Sequence, residues 1–235
     1  MKFRDRLKQD IIIFDGAMGT QIQALNPTEE EWDGKLGCSE VLNLTAPDKI
    51  QKIHEDYYEA GSDVVETNTF GANEIVLAEY ELQDRAREIN RVAAQIARKA
   101  ADNYSNSKPR FIAGSMGPGT RLITLNQTDF PTMYHSYSEQ AKGLIEGEVD
   151  LFIIETCQDL LQIKTALLAV RDAMAEMNYD VPIIVSVTVE TTGTLLVGSE
   201  MSAVLAALEP FKIDVLGMNC ATGPKHMRPY IRQIC

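Results

Sequence analysis

The chain has 235 residues, 45% hydrophobic and 24% charged, with 22 Lys and Arg against 34 Asp and Glu for a formal net charge of −12. That balance argues against a nucleic-acid or anionic-membrane binder, and no apolar run approaches the roughly 20 residues that span a bilayer. Four scattered cysteines without a CxxC pair do not resemble a disulfide framework, and the charged opening MKFRDRLKQD lacks the apolar stretch of a signal peptide, so a cytoplasmic protein is expected.

Met1 to Asp10 read as a short polar helix. Ile11-Ile12-Ile13-Phe14 is a continuous apolar run, as in a strand buried on both faces, and it ends in Asp15-Gly16-Ala17-Met18-Gly19-Thr20. After a long polar connection, Thr45-x-x-Asp48 with Pro47 predicts a capped helix start. Ile50, Ile53, Tyr57 and Ala60 mark that helix's apolar face, and Gly61 closes it. A strand over Asp63–Thr67 follows, then a helix from about Asp84 to Ala101. The alternation continues with a strand at Phe111–Ala113, a helix after Pro131, a strand at Leu151–Ile154 and a helix marked by Leu160, Ile163, Leu167, Val170 and Met174. A strand at Ile183–Val189, a short helix stopping at Pro210, a strand at Ile213–Met218 and a last helix with Met227, Tyr230, Ile231 and Ile234 complete the series.

Six strand–helix units in strict alternation predict a parallel sheet with crossover helices in one domain, residues 1–235. A doubly wound sheet would carry a Gly-rich phosphate loop after its first strand, and DGAMGT is neither GxGxxG nor followed by a Walker-type Lys. A (β/α)8 barrel fits better, because polar residues close all six strands. Six units do not close eight staves, so an incomplete barrel, truncated at its C-terminal end, is expected.

In such folds the strand ends form one rim, where chemistry gathers. Asp15, Thr67-Asn68-Thr69, Ser115, Glu155-Thr156, Glu190 and Asn219-Cys220 should lie there. Asp15 and Glu155 can accept hydrogen bonds from an ammonium group, and helix N-termini beyond the turns can hold a carboxylate. Together they suit an amino-acid zwitterion. Asp15, Gly16, Thr67, Glu155 and Asn219 are therefore the candidate substrate contacts, and Cys220 the candidate reactive thiol. A buried filler is the competing reading of Cys220, and a turn former that of Asp15. Glu190 reads more as solvated rim, Cys157 as packing and Cys38 as an incidental loop residue. His54, His135 and His226 all fall in predicted helices, which argues against a Ser-His-Asp hydrolase or a His-rich metal site.

DGAMGTQIQ, the span APDKIQKIHEDYYEAGSDVVETNTFGA, GSMGPGTR, IIET and GMNCATGP occur in that order. Together they resemble the homocysteine-binding, zinc-dependent methyltransferase domains of cobalamin-dependent methionine synthases, along essentially the whole chain. The resemblance implies a (β/α)8 barrel that methylates L-homocysteine to methionine. Zinc held by three cysteine thiolates would activate the substrate thiol, with methylcobalamin on a separate domain as donor and a folate-binding domain recharging it. It implies Cys220 as the first zinc ligand, Asp15 as a group near the substrate amine and Glu155 as the acid facing it. The family's other two ligands belong to a Gly-Gly-Cys-Cys-Gly motif that this sequence lacks, so weak zinc binding and weak activity are expected of the chain alone. A homocysteine methyltransferase using betaine or S-methylmethionine shares the same local motifs and is the alternative. A non-catalytic amino-acid-binding module is a third reading.

Overall fold

The computed structural model describes residues 2–105 and 108–235. Among them, five strands form one parallel sheet: β1 (Val64–Glu66), β2 (Phe111–Met116), β3 (Leu151–Cys157), β4 (Ile183–Val187) and β5 (Val215–Met218). Their spatial order is their sequence order. Every crossover therefore steps the same way, without the reversal that gives a doubly wound sheet its switch point. The connecting helices are α1 (Phe3–Leu7), α2 (Met18–Leu25), α3 (Pro47–Ala60), α4 (Ala86–Tyr104), α5 (Phe130–Glu146), α6 (Leu160–Glu176), α7 (Met201–Leu208) and α8 (Pro224–Ile234), with shorter helical turns between them. No helix is long and apolar enough to cross a membrane among the described residues.

The expected sixth strand is not formed. From Ile11–Phe14 only Phe14 bridges Val64, although Asp63 and Val64 both donate backbone hydrogen bonds to the Ile13 carbonyl. One face of the segment is left uncovered: Ile11 and Ile13 are 83% and 57% exposed. Ile12 and Phe14 alone turn onto the core. The capped start at Thr45 is also not realised. Ala46 is the N-cap and Pro47 opens the helix, while the Thr45 hydroxyl donates to the carbonyl of Glu31. The buried face of α3 runs through Ile50, Ile53, His54 and Tyr58, with Tyr57 half-buried against the core and Ala60 exposed. Gly61 does end it in the left-handed region, at φ 117°.

Alternation along the strands sorts the core into two layers. Val65, Ile112, Met116, Phe152, Ile154, Val185 and Val187 face the helices and pack with α4, α5, α6 and α7. Val64, Phe111, Ala113, Leu151, Ile153 and Ile184 face the other way into a second cluster. Phe3 of α1 closes that cluster from below, edge-on to Phe111 at 5.3 Å. Arg4 fastens α1 there through Asp180 at 2.9 Å and Asp214 at 2.8 Å. The inner layer turns polar toward the strand ends: Glu66, Ser115, Glu155, Ser186 and Asn219 continue the same face. The fold thus presents a polar floor above an apolar plug.

Candidate functional site

A cavity of about 560 Å³ opens on that floor, within the range of small-molecule sites. Asp15, Gly16, Thr67, Glu155 and Asn219 all line it, together with Glu40, Glu66, Ser115 and Ser186. Four of its lining side chains are carboxylates and none is Lys, Arg or His.

Asp15 follows the bridge at Phe14. Its backbone N–H donates to the Val64 carbonyl at 3.0 Å, and its Oδ2 accepts the N–H of Glu66 at 2.9 Å. Burial pushes the Asp15 carboxyl up to about 7, against the lowering effect of that hydrogen bond and with a further push from Glu155. Gly16 packs over Tyr57, whose hydroxyl donates to the Ala17 carbonyl at 3.0 Å. A Cβ on Gly16 would lie 3.0 Å from that hydroxyl oxygen. The next residues enter α2, whose N-cap Ala17 contributes no side-chain hydrogen bond. Its first N–H groups thus have no side-chain cap, and Ala17, Met18 and Gly19 line the cavity edge.

Across the floor, Glu155 accepts the Ser115 hydroxyl at 2.6 Å and hydrogen-bonds Glu66. Burial raises both glutamates; Glu155 disfavours charge on Glu66 as well, whereas the hydrogen bond from Glu66 favours charge on Glu155. Glu66 keeps the proton and donates it, leaving Glu155 as the carboxylate. Thr67 is fully engaged: its hydroxyl bonds Thr69 at 2.6 Å and accepts the Ser115 N–H at 3.1 Å. It contributes more to holding β1 against β2 than to offering a free group. Glu40 reaches the cavity from a distant turn, its Oε1 held by the Gly71 N–H at 2.7 Å.

Asn219 joins three strand ends. Its Oδ1 accepts the Ser186 hydroxyl at 2.7 Å and the Thr156 N–H at 3.1 Å, while its Nδ2 donates to Thr156 Oγ1 at 2.7 Å. Nδ2 also lies 3.3 Å from Cys220 Sγ. Cys220 itself is exposed, just beyond the cavity lining, in the left-handed region at φ 59°. The expected rim member Glu190 lies off the cavity and accepts from Gln158 at 2.5 Å. Cys157 is buried against the helices, as a packing residue. Cys38 is also buried, with its thiol 3.8 Å from Glu40, rather than incidental.

Sequence reasoning passed over Glu66, Glu40 and Ser186. Glu66 had a readable signal, a carboxylate at the inward position of an apolar strand. Ser186 had the same signal in weaker form. Glu40 had none, since its approach depends on how a remote turn folds back.

Zinc, implied by the resemblance, needs three protein ligands and an open position. No group of three His, Cys, Asp or Glu side chains is arranged to hold a metal ion among the described residues. Cys220 is one thiol on the rim, Cys38 and Cys157 are buried, and Cys235 ends α8. These residues do not by themselves fit zinc.

Comparison with known proteins places the chain. Residues 12–235 match a family model described as homocysteine S-methyltransferase. Methionine synthase of Mycobacterium tuberculosis is 47% identical over 98% of this chain, and that of Mycobacterium leprae 46% identical over the same share. The chain spans only 19% of the length of either relative. Among solved structures, the oxidized form of the homocysteine methyltransferase MmuM from Escherichia coli superposes with a TM-score of 0.79, at 21% identity over 98% of this chain and 81% of that one. Its metallated form gives the same TM-score at 20% identity, over 99% and 83%. At that identity the likeness speaks for fold, whereas the family match runs along nearly all of the sequence. The chain belongs to the homocysteine S-methyltransferase family.

Proposed function

We propose that residues 1–235 form an incomplete (β/α)8 barrel domain that binds L-homocysteine and presents its thiol for methylation to methionine. The observation that carries the reading is the cavity lining: four carboxylates without a cation, beside a helix N-terminus. The substrate ammonium sits among Asp15, Glu66 and Glu155, and its carboxylate takes the free N–H groups at the start of α2. With both charged ends held, the side chain points outward past Asn219 to the rim where Cys220 stands. Methyl transfer forms the S–CH3 bond as the donor–CH3 bond breaks, and the thiol proton leaves. The residues described here supply position and an enclosed approach. Cys220 is proposed as one zinc ligand, which alone makes no site.

Two donors have support. A small cationic or zwitterionic donor, S-methylmethionine or betaine, is favoured by the anionic lining. Methylcobalamin on a separate domain, recharged from a folate-binding domain, is favoured by the 47% identity to a methionine synthase about five times longer. Thiol chemistry also fits a reducing compartment such as the cytoplasm, and all four cysteines are free. Titration of the full-length protein with L-homocysteine in a calorimeter, followed by turnover assays with each donor, tests both levels. Absence of heat and of methionine with every donor refutes the proposal. Methionine formed from methylcobalamin alone selects the second donor.

A further inference from the structure

The residue after Glu155 has the least comfortable backbone on the rim. Thr156 lies at φ 59°, a region that β-branched side chains avoid. It also sits where the register between β3 and β4 shifts, between Ile154 and Cys157. Bulges of this kind re-aim side chains near active sites. The effect is visible in the layers. Ile153 faces the inner cluster and Ile154 the helices, so plain alternation would send Thr156 outward and Cys157 inward. Instead Glu155 and Thr156 both meet the inner face, and Cys157 returns to the helix side.

The strained conformation has a consequence for hydrogen bonding. The Thr156 hydroxyl accepts Asn219 Nδ2 at 2.7 Å. Its single proton then faces two acceptors, Glu155 Oε2 at 3.4 Å and Cys220 Sγ at 3.8 Å. The backbone N–H is fixed as well, donating to Asn219 Oδ1 at 3.1 Å. One residue thus contacts the proposed ammonium acceptor and the proposed reactive thiol, and the side chain bridging them is locked from both ends.

We propose that Thr156 is a positioning residue, whose hydroxyl sets the Glu155 carboxylate for the substrate amine and ties that placement to the Cys220 end of the site. The inference rests on the homocysteine reading above. It explains why a strained threonine stands where glycine would be at ease: the hydroxyl is needed and the backbone pays for it.

The test compares wild type with Thr156→Gly, Thr156→Val and Thr156→Ser in the full-length protein. Calorimetry measures the Kd for L-homocysteine and for 4-mercaptobutyrate, which keeps thiol and carboxylate but lacks the amine. Thr156→Gly relieves the φ, which offsets part of the loss of the hydroxyl's hydrogen bond from Asn219, and it should weaken L-homocysteine about tenfold, the scale of one hydrogen bond to a charged group. The amine-free thiol should be nearly unaffected. Thr156→Val should behave likewise, and Thr156→Ser should restore binding to within about twofold. A purely structural role would move both ligands together. Equal losses for both ligands, unchanged L-homocysteine binding in Thr156→Gly, or failure of Thr156→Ser to rescue overturns the assignment of Thr156 alone. A wild type that binds no L-homocysteine overturns the homocysteine reading itself, and this one with it.

Discussion

Replacing Asp15 by Asn should stabilise the ligand-free protein while abolishing its affinity for the amino acid. In the unfolded chain this carboxyl titrates near its ordinary 3.8, and in the folded chain near 7. Below pH 3.8 both states carry the proton and the site is neutral in its effect. Between the two values the folded chain holds a proton that the unfolded chain has released, so stability falls as pH rises, and the deficit is complete above 7. Three pH units at about 1.4 kcal/mol each set a ceiling of about 4 kcal/mol. Solvent at the cavity mouth makes about half of that the realistic figure. Asn keeps an oxygen to accept the Glu66 N–H, so the substitution removes charge without orphaning a donor. At pH 8, Asp15→Asn should therefore raise Tm by about 4–8 °C, and the difference between variant and wild type should shrink toward zero by pH 4. Taking that difference cancels the opposing pH dependence of His54. Differential scanning calorimetry across pH 4–8 is the assay. A variant less stable than wild type at pH 8, or a difference that does not change with pH, would refute the reasoning.

Three further outcomes follow from the geometry. His54 is fully buried with both ring nitrogens unpartnered, and burial lowers it to about 4. Its stabilising effect is lost as pH falls from 6.5 through 4, so His54→Leu should gain about 2 kcal/mol over wild type at pH 5, read as a shift in urea midpoint. Gly143 lets α5 lie directly on α4, since a Cβ there would come within 2.8 Å of Asn90 Cβ and press on the Arg87 carbonyl. Gly143→Ala should cost about 1–3 kcal/mol in the same measurement. Because Cys220 is the lone rim thiol among the described residues, the 235-residue chain should retain well under one zinc after dialysis, as metal analysis would show.

Much of this was legible from sequence because the alternation of apolar runs with 3.6-period segments is a local signal. Each of the five strands overlaps an expected run, although β2 and β3 continue three residues past theirs, and Asp15, Glu155 and Asn219 were placed by the simple rule that polar residues close buried strands. Where the outcome hung on neighbours, the sequence was silent. Ile11–Phe14 has the composition of a central strand, but a run buried on both faces needs a packed layer on each, and Ile11 and Ile13 are left exposed. Glu40 enters the cavity through a bond to the Gly71 N–H, thirty-one positions along the chain. The bulge at Glu155–Thr156 carries no glycine to announce it. Its left-handed residue is a threonine, the type least expected there.

That irregularity also separates two properties usually entangled in a barrel. Counting pleats, Thr156 is supernumerary: excise it and Glu155 still looks inward while Cys157 still looks toward the helices, as in any uninterrupted strand. The hydrophobic layers have no stake in whether this position exists. A one-codon deletion should then leave a sound scaffold with a disarranged rim, so that chemistry on this edge can vary without disturbing the packing beneath it.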